Sequence, residues 1–355
     1  MKKIVLRITK AIQFRLFYHT KKYLLHDGRN VRQVLVLKGS LRKLLIIAPG
    51  ESVIPGKGWG AVEYIVMKHA DLLNKLGFEV IILNSWHHRD WFKALKLRPS
   101  FVILHYDMFS VRWNIYRKFL YIPTLVISHY GFAAFPDRWN KTYRRSLKHF
   151  TKFEYIGCLS QGIKEVFQSQ FPHANFVLTP NGTEIEDFSK PLPDLYNKFI
   201  LLGKVEDRKR QVAISLVLQN QKLIDFVGPI QDPSFFDLPV ESQKQYLGEW
   251  DREKINIELP KYRGLILLSD AEADALVLHE ALSAGIEVFV SPNAIGSQKK
   301  SEWVHLIDDI EDLETVLVAC LNRERVSRDL IRADAAQRSW EVRINEISKL
   351  ILNSP

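Results

Sequence analysis

Short apolar runs recur along the chain, separated by longer stretches of helical periodicity. Leu44–Ala48, Val80–Leu83, Phe101–His105, Thr124–Ser128, Tyr155–Leu159 and Phe176–Leu178 form a first series. Lys198–Leu202, Leu223–Val227, Leu265–Leu268 and Val288–Val290 form a second. Continuous apolar runs of this length suit strands buried on both faces, which are parallel and joined by helices. Strand and helix alternation therefore predicts an α/β protein of two doubly wound parallel sheets. Residues 186–197, with Pro191 and Pro193, read as the linker between them. Val34–Leu37 is a short β-like run ahead of the first series, and Val326–Leu352 is helical in pattern at the other end.

A length of 355 residues exceeds one typical core and agrees with two domains. With 46% hydrophobic and 25% charged residues, the composition is that of a globular protein. No apolar run reaches the roughly 20 residues that span a bilayer, and no signal peptide is expected. Cys158 and Cys320 give no disulfide framework or metal-site spacing, which fits a reducing cytoplasm. The net charge of +10 is concentrated before residue 44, where twelve Lys or Arg face one acid, Asp27. The rest of the chain sums to near neutrality. Such asymmetry points to an anionic surface. Ile4, Ile8, Ala11, Ile12 and Leu16 share a helical face, so residues 1–32 are a candidate for peripheral binding to anionic membrane. A helix packed on the body and a disordered basic tail fit the same pattern. Nucleic acid is not expected, because no recognition module follows.

Candidate chemistry gathers at strand–helix junctions, where open α/β sheets hold ligands. Gly56, Gly58 and Gly60 lie between the first long strand and its helix, and glycine there lets backbone N–H groups approach a phosphate. The dinucleotide G-x-G-x-x-G spacing is absent. His129 follows the strand Thr124–Ser128 and so sits at a cleft rim. Lys204 and Lys209 follow the first strand of the second series, with Arg208 and Arg210 as competing cations. Glu272 and Glu280 stand eight positions apart in EADALVLHEALSAG. On one helix they would lie about 80° out of line, which places Glu272 in the loop and Glu280 on the helix that Gly285 ends. Arg138, Lys141, Arg145, Lys148 and Lys152 form a cationic stripe beside Phe132, Phe135 and Trp139. It reads either as an acceptor-side surface or as an ordinary amphipathic helix with its aromatics in the core.

In this order, GWGAVE, His129, the proline-asparagine-glycine turn at 180–182, the Lys204/Lys209 cations and Glu272/Glu280 resemble retaining nucleotide-sugar glycosyltransferases of the GT-B architecture, family 4. The resemblance covers about residues 44–345. It implies two facing Rossmann-like domains: a basic extension at 1–40, an acceptor domain at 41–190 completed by a C-terminal helix at about 337–355, and a donor domain at 195–336. It implies Glu280 on the nucleotide ribose, Lys204 and Lys209 on the diphosphate, Gly58 and Gly60 closing over it, and Glu272 and His129 flanking the transferred sugar. It implies a UDP- or GDP-sugar donor, a glycan or lipid-linked acceptor, and no cofactor or metal, with cations doing the metal's work. Lys204 replaces the family's arginine, a point charge for a bidentate fork. Ala273 and Asp274 replace an aromatic and a glycine, which puts the loop geometry in question. These departures leave room for a catalytically silent, membrane- or partner-binding subunit. An epimerase or hydrolase of the same fold is the enzyme alternative.

Overall fold

The structure is a computed structural model that describes residues 31–56, 59–184, 195–218 and 222–354. Strands β1 (Arg32–Leu37), β2 (Lys43–Ile47), β3 (Glu79–Ser85), β4 (Phe101–Leu104), β5 (Thr124–Ile127), β6 (Tyr155–Cys158) and β7 (Phe176–Leu178) build one sheet, in the order β1-β3-β2-β4-β5-β6-β7. From β3 to β7 every pairing is parallel. The runs Leu44–Ile47, Val80–Leu83 and Phe101–Leu104 are fully buried, as the continuous apolar pattern requires. Helices α1 (Ala61–Lys75), α2 (His88–Lys96), α3 (Phe109–Leu120), α4 (Lys141–Phe150) and α5 (Gln161–Gln170) connect the strands. Right-handed crossovers put α1 on one face and α2 to α5 on the other.

The sheet begins inside the expected N-terminal extension. β1 pairs antiparallel with β3, and Arg32 reaches Asp90 at 3.0 Å. Its alternating, half-exposed residues suit an edge strand, which one-sided burial leaves short of a continuous apolar run. Residues 1–30, and with them nearly all of the candidate membrane segment, lie outside the described residues.

A second sheet joins β8 (Phe199–Leu202), β9 (Ile224–Val227), β10 (Gly264–Leu267), β11 (Glu287–Val290) and β12 (Val304–Leu306), all parallel, in the order β12-β11-β10-β8-β9. Alternate residues face opposite ways. Ile200, Leu202, Leu265, Leu267, Val288 and Val290 enter one apolar cluster. Phe199, Leu201, Ile266, Leu268 and Phe289 enter the other. Helices α6 (Gln211–Val217), α7 (Val240–Gln243), α8 (Arg252–Glu258), α9 (Leu276–Ser283), α10 (Leu313–Leu321) and α11 (Arg328–Ala336) accompany this sheet.

The helical pattern near the C-terminus breaks at Gln337–Ser339, and α12 (Trp340–Asn353) starts afresh. Ser339 caps it by accepting from the Val342 N–H at 3.3 Å. Thr183, in the passage between the sheets, takes backbone bonds on both sides of that cap: its N–H donates to the Arg338 carbonyl and its carbonyl accepts from Trp340. Gly182 allows this approach, since a Cβ there would lie 2.6 Å from the Trp340 Cα. Trp340, Ile344, Ile347 and Ile351 then bury against the first sheet's core. Arg42 closes the far end by donating to the Ile351 and Ser354 carbonyls at 2.9 and 3.0 Å.

Trp340 is 2% exposed. Replacing it with alanine is expected to cost about 3–5 kcal/mol, as for other buried aromatics. Urea denaturation followed by circular dichroism checks this; a loss below about 1 kcal/mol would mean that α12 is not part of the core.

Candidate active site

The second-domain half starts where β8 ends. Gly203 has φ +142°, and a Cβ on it would lie 2.7 Å from the Lys209 Nζ. The backbone bend therefore makes the seat for the Lys209 ammonium. Burial lowers the pKa of Lys209, while Glu272 and Glu206 pull it back up. Arg208 joins the group. Its guanidinium reaches Glu206 at 2.6 Å, Glu272 at 2.8 Å, the Ser269 hydroxyl at 3.1 Å and the Ala271 carbonyl. Arg210 turns away to Asp270 at 2.6 Å. Thus Arg208, one of the competing cations in the sequence, is the one that holds Glu272.

Glu272 lies in the loop after β10 and Glu280 on α9, with Gly285 at φ +76° just past the helix end. The Glu272 N–H donates to the Asn293 carbonyl at 3.0 Å, which fixes the loop against the turn after β11. Glu280 pairs with Arg252, at the start of α8. The Arg252 guanidinium also lies 4.3 Å above the ring of Tyr64 on α1. The Tyr64 hydroxyl and Lys68 meet Glu184 beside them. Both carboxylates of the spaced pair therefore hold arginines, and the second arginine bridges the two sheets' domains. Neither Arg252 nor Tyr64 carries a motif, so only the fold could disclose them.

The first-domain half faces this group. Gly60 caps the N-terminus of α1, and a Cβ on it would meet the Glu63 carboxylate at 2.8 Å. The Ser52 N–H also donates to Glu63, at 3.2 Å. A carboxylate thus occupies the helix terminus that the glycine loop was expected to open to a phosphate. Burial raises the pKa of Glu63, with Lys204 among the charges that lower it. Lys204 is therefore within electrostatic reach of the opposite domain. Gly58 lies outside the described residues. Trp59, between the two glycines, packs against the second domain's apolar cluster.

His129 is the outer member of a histidine column. It shares a 2.9 Å hydrogen bond with His105 through its Nε2, and the rings stack at 5.2 Å. His69 of α1 meets the His105 ring edgewise at 4.9 Å and the Trp340 ring at 5.8 Å. Burial holds all three neutral: His129 drops to about 4, His69 to about 3, and His105 well below its ordinary value. With Nε2 engaged, Nδ1 is the His129 nitrogen left to face a ligand. Two residues on, a Cβ at Gly131 would lie 3.6 Å from Arg208 and 3.7 Å from the Ala271 carbonyl. The His129 loop and the Glu272 loop therefore meet across the cleft. Nearby, burial pushes the Asp107 carboxyl up to about 7. Asp107 follows β4 with no motif around it, so no sequence pattern marks it.

Asp274, the departure that put this loop in question, is 6% exposed and fully engaged. It accepts from the Asn181 N–H at 2.8 Å and from the Ser297 N–H and hydroxyl at 3.0 and 2.8 Å. His279 lies 3.1 Å away. Gly296 has φ +60°, and a Cβ there would lie 2.7 Å from the carboxylate, so glycine suits both the backbone and the close approach. The position that would be glycine in the family pattern is here a buried carboxyl that ties the interdomain turn to the loops of the second domain.

No protein-family model matches this chain, and no curated protein matches it in sequence. Solved structures do match in fold. Sucrose-phosphate synthase from Thermosynechococcus elongatus superposes with a TM-score of 0.69 at 13% identity, over 88% of this chain and 98% of that one. Anabaena HepE in complex with UDP-glucose gives 0.64 at 14% identity, over 88% and 100%. The lipopolysaccharide outer core galactosyltransferase WaaB gives 0.63 at 16% identity, over 87% and 99%. The two parallel-sheet Rossmann-like domains have the GT-B fold of these glycosyltransferases.

Two outcomes follow from this geometry. Replacing Asp274 with alanine strands the Asn181 and Ser297 donors and is expected to cost about 3–5 kcal/mol in urea denaturation, as when one member of a buried charged network is removed. The histidine column sets a pH dependence. Its folded pKa values lie below the unfolded value of about 6.5, so between about pH 6.5 and 4 only the unfolded chain takes up these protons. Stability must then fall as pH falls through that window. His69 has an unpartnered Nδ1, so His69→Leu should be near neutral at pH 7. At pH 5 it should recover about 2 kcal/mol relative to the parent. Equal losses in parent and variant between pH 7 and pH 5 would remove His69 from the column.

Proposed function

We propose that this chain is a glycosyltransferase that moves a sugar from a nucleotide diphosphate sugar to a glycan or lipid-linked acceptor, with retention at the anomeric carbon. The observation that carries the reading is the convergence of Lys204, Arg208 and Lys209 with Glu272 at the carboxyl ends of β8 and β10, opposite His129. A leaving nucleotide diphosphate gathers negative charge as its bond to the sugar breaks, and fixed cations stabilise that charge. In this reading the bond from the anomeric carbon to the diphosphate oxygen breaks. The acceptor oxygen bonds to that carbon on the same face, and its proton passes to the departing phosphate. Glu272 and the Nδ1 side of His129 flank the sugar. Glu280 takes the ribose hydroxyls once Arg252 yields it. Closure of the cleft, already bridged by Arg252 over Tyr64, excludes water and limits hydrolysis.

The UDP-glucose bound by Anabaena HepE supports a UDP-sugar donor, with a GDP-sugar as the other candidate. The galactosyltransferase WaaB acts on lipopolysaccharide outer core, which supports an acceptor in cell-surface glycoconjugate synthesis. In this reading the protein works at the cytoplasmic face of a membrane, held peripherally by residues 1–32.

One observation favours a second reading. Glu272 and Glu280 already pair with Arg208 and Arg252, a self-sufficient arrangement that a silent subunit would keep.

Titration of a panel of UDP- and GDP-sugars into the purified protein separates the two. One nucleotide sugar is expected to bind. Lys209→Ala and Glu280→Ala should each weaken it about 10-fold or more, the worth of a charge-assisted hydrogen bond. A folded wild-type protein that binds none of the panel would put the silent subunit ahead.

A further inference from the structure

The near-neutral charge sum of the chain after residue 43 conceals a segregated surface. Helices α2, α3 and α4 lie side by side on one face of the first sheet. The Phe92 and Tyr116 rings meet at 5.8 Å, Asn114 reaches His149 at 3.2 Å, and Arg117 donates to the Lys152 carbonyl at 2.6 Å. The segments 88–98, 109–121 and 138–152 that build this face contain thirteen Lys or Arg and one acid, Asp90. Asp90 is buried and held by Arg32, so it does not offset the outer cations. Arg89, Lys93, Lys96, Lys141, Lys148 and Lys152 are all exposed.

Among these cations stand apolar side chains that the described residues leave largely exposed. Phe119 is 80% and Tyr121 86% exposed, beside Phe92 at 55% and Ile115 at 51%. Ile115 and Phe119 are four apart on α3 and so share one stripe. Tyr121 ends that helix at φ +47°, a conformation ordinarily left to glycine or asparagine. The strain is not repaid inside the protein, because the ring points outward.

We infer that the α2–α3–α4 face docks flat on an anionic lipid bilayer, with Phe92, Ile115, Phe119 and Tyr121 entering the headgroup layer. Apolar tips ringed by cations match both halves of such a surface: the acyl boundary accepts the rings and the headgroup phosphates accept the Lys and Arg. A second copy of the chain would bring like charges together. This face is built from residues 88–152 and would add a second anchor to the candidate segment 1–32, so that stable attachment need not rest on one weak contact. The inference is independent of the donor chemistry, since a silent subunit with this face would bind in the same way.

The test uses the full chain carrying Phe119→Cys, labelled with a polarity-sensitive fluorophore. Cys158 and Cys320 are buried, so labelling is selective. The control is the same label at Phe236→Cys, 64% exposed in the second domain. Vesicles of phosphatidylcholine with phosphatidylglycerol are expected to shift the 119 label to the blue and leave the 236 label unmoved; phosphatidylcholine alone should move neither. Lys96→Gln with Lys152→Gln should weaken vesicle binding about 25-fold, at about 5-fold per cation. Vesicle binding with an unmoved 119 label overturns the inference and leaves the N-terminal segment as the anchor. It is equally overturned by a blue shift that grows with protein concentration without vesicles, which indicates a second copy. A shift given by single-stranded RNA but not by vesicles would identify a nucleic-acid face instead.

Discussion

The buried carboxyl of Asp274 is the contact on which the arrangement of the two domains depends. It gathers the Asn181 amide from the passage between the sheets, Ser297 from the turn after β11 and His279 from α9. Segments as far as 93 residues apart thereby meet at one side chain. The same passage is bound on its other side by the start of α12, through Thr183 and Trp340. Together these bonds fix where the carboxyl ends of the second sheet stand relative to those of the first. A buried carboxyl left without these donors would be expensive, so the contact specifies one geometry as well as stabilising it.

Electrostatic pairing across the cleft follows from that placement. Arg208 spans Glu206 and Glu272 within the second domain, whereas Arg252 joins Glu280 to the ring of Tyr64 on α1. Glu63, at the head of α1, lies within the field of Lys204. Cations and carboxylates thus alternate across the gap, and a ligand carrying a diphosphate and a ribose would exchange partners with them rather than enter an uncharged space. The histidine column contributes the opposite property: three rings whose burial keeps them neutral beside a charged site.

Much of the candidate site's placement was legible because local patterns carry it. Glu272 in a loop, Glu280 on the next helix and Gly285 past its end follow from spacing and helix geometry alone. Lys209 beside a glycine-ended strand follows from where α/β sheets hold ligands. The glycine loop was only partly legible. Gly60 does cap α1, but its open face receives Glu63, whose reach depends on a side-chain rotamer and not on sequence spacing. Reading Asp274 as the loss of a glycine missed its role, because the partners of a buried polar group lie elsewhere in the chain.

The sequence by itself determined the strands other than β12, the parallel pairing of the two series and the strand–helix junctions where the candidate residues stand. Burial on both faces demands continuous apolar runs, and those runs are visible without coordinates. Tertiary structure alone decided what crosses between elements. β1 became an antiparallel edge strand, α12 broke from α11 at a cap shared with Thr183, and Arg252 chose Glu280 and Tyr64. It also separated a cationic, aromatic face from a chain whose body sums to near neutrality. The physical reason is the same in each case: periodicity encodes which side of an element is buried, whereas contacts between elements are set by packing over long sequence separations.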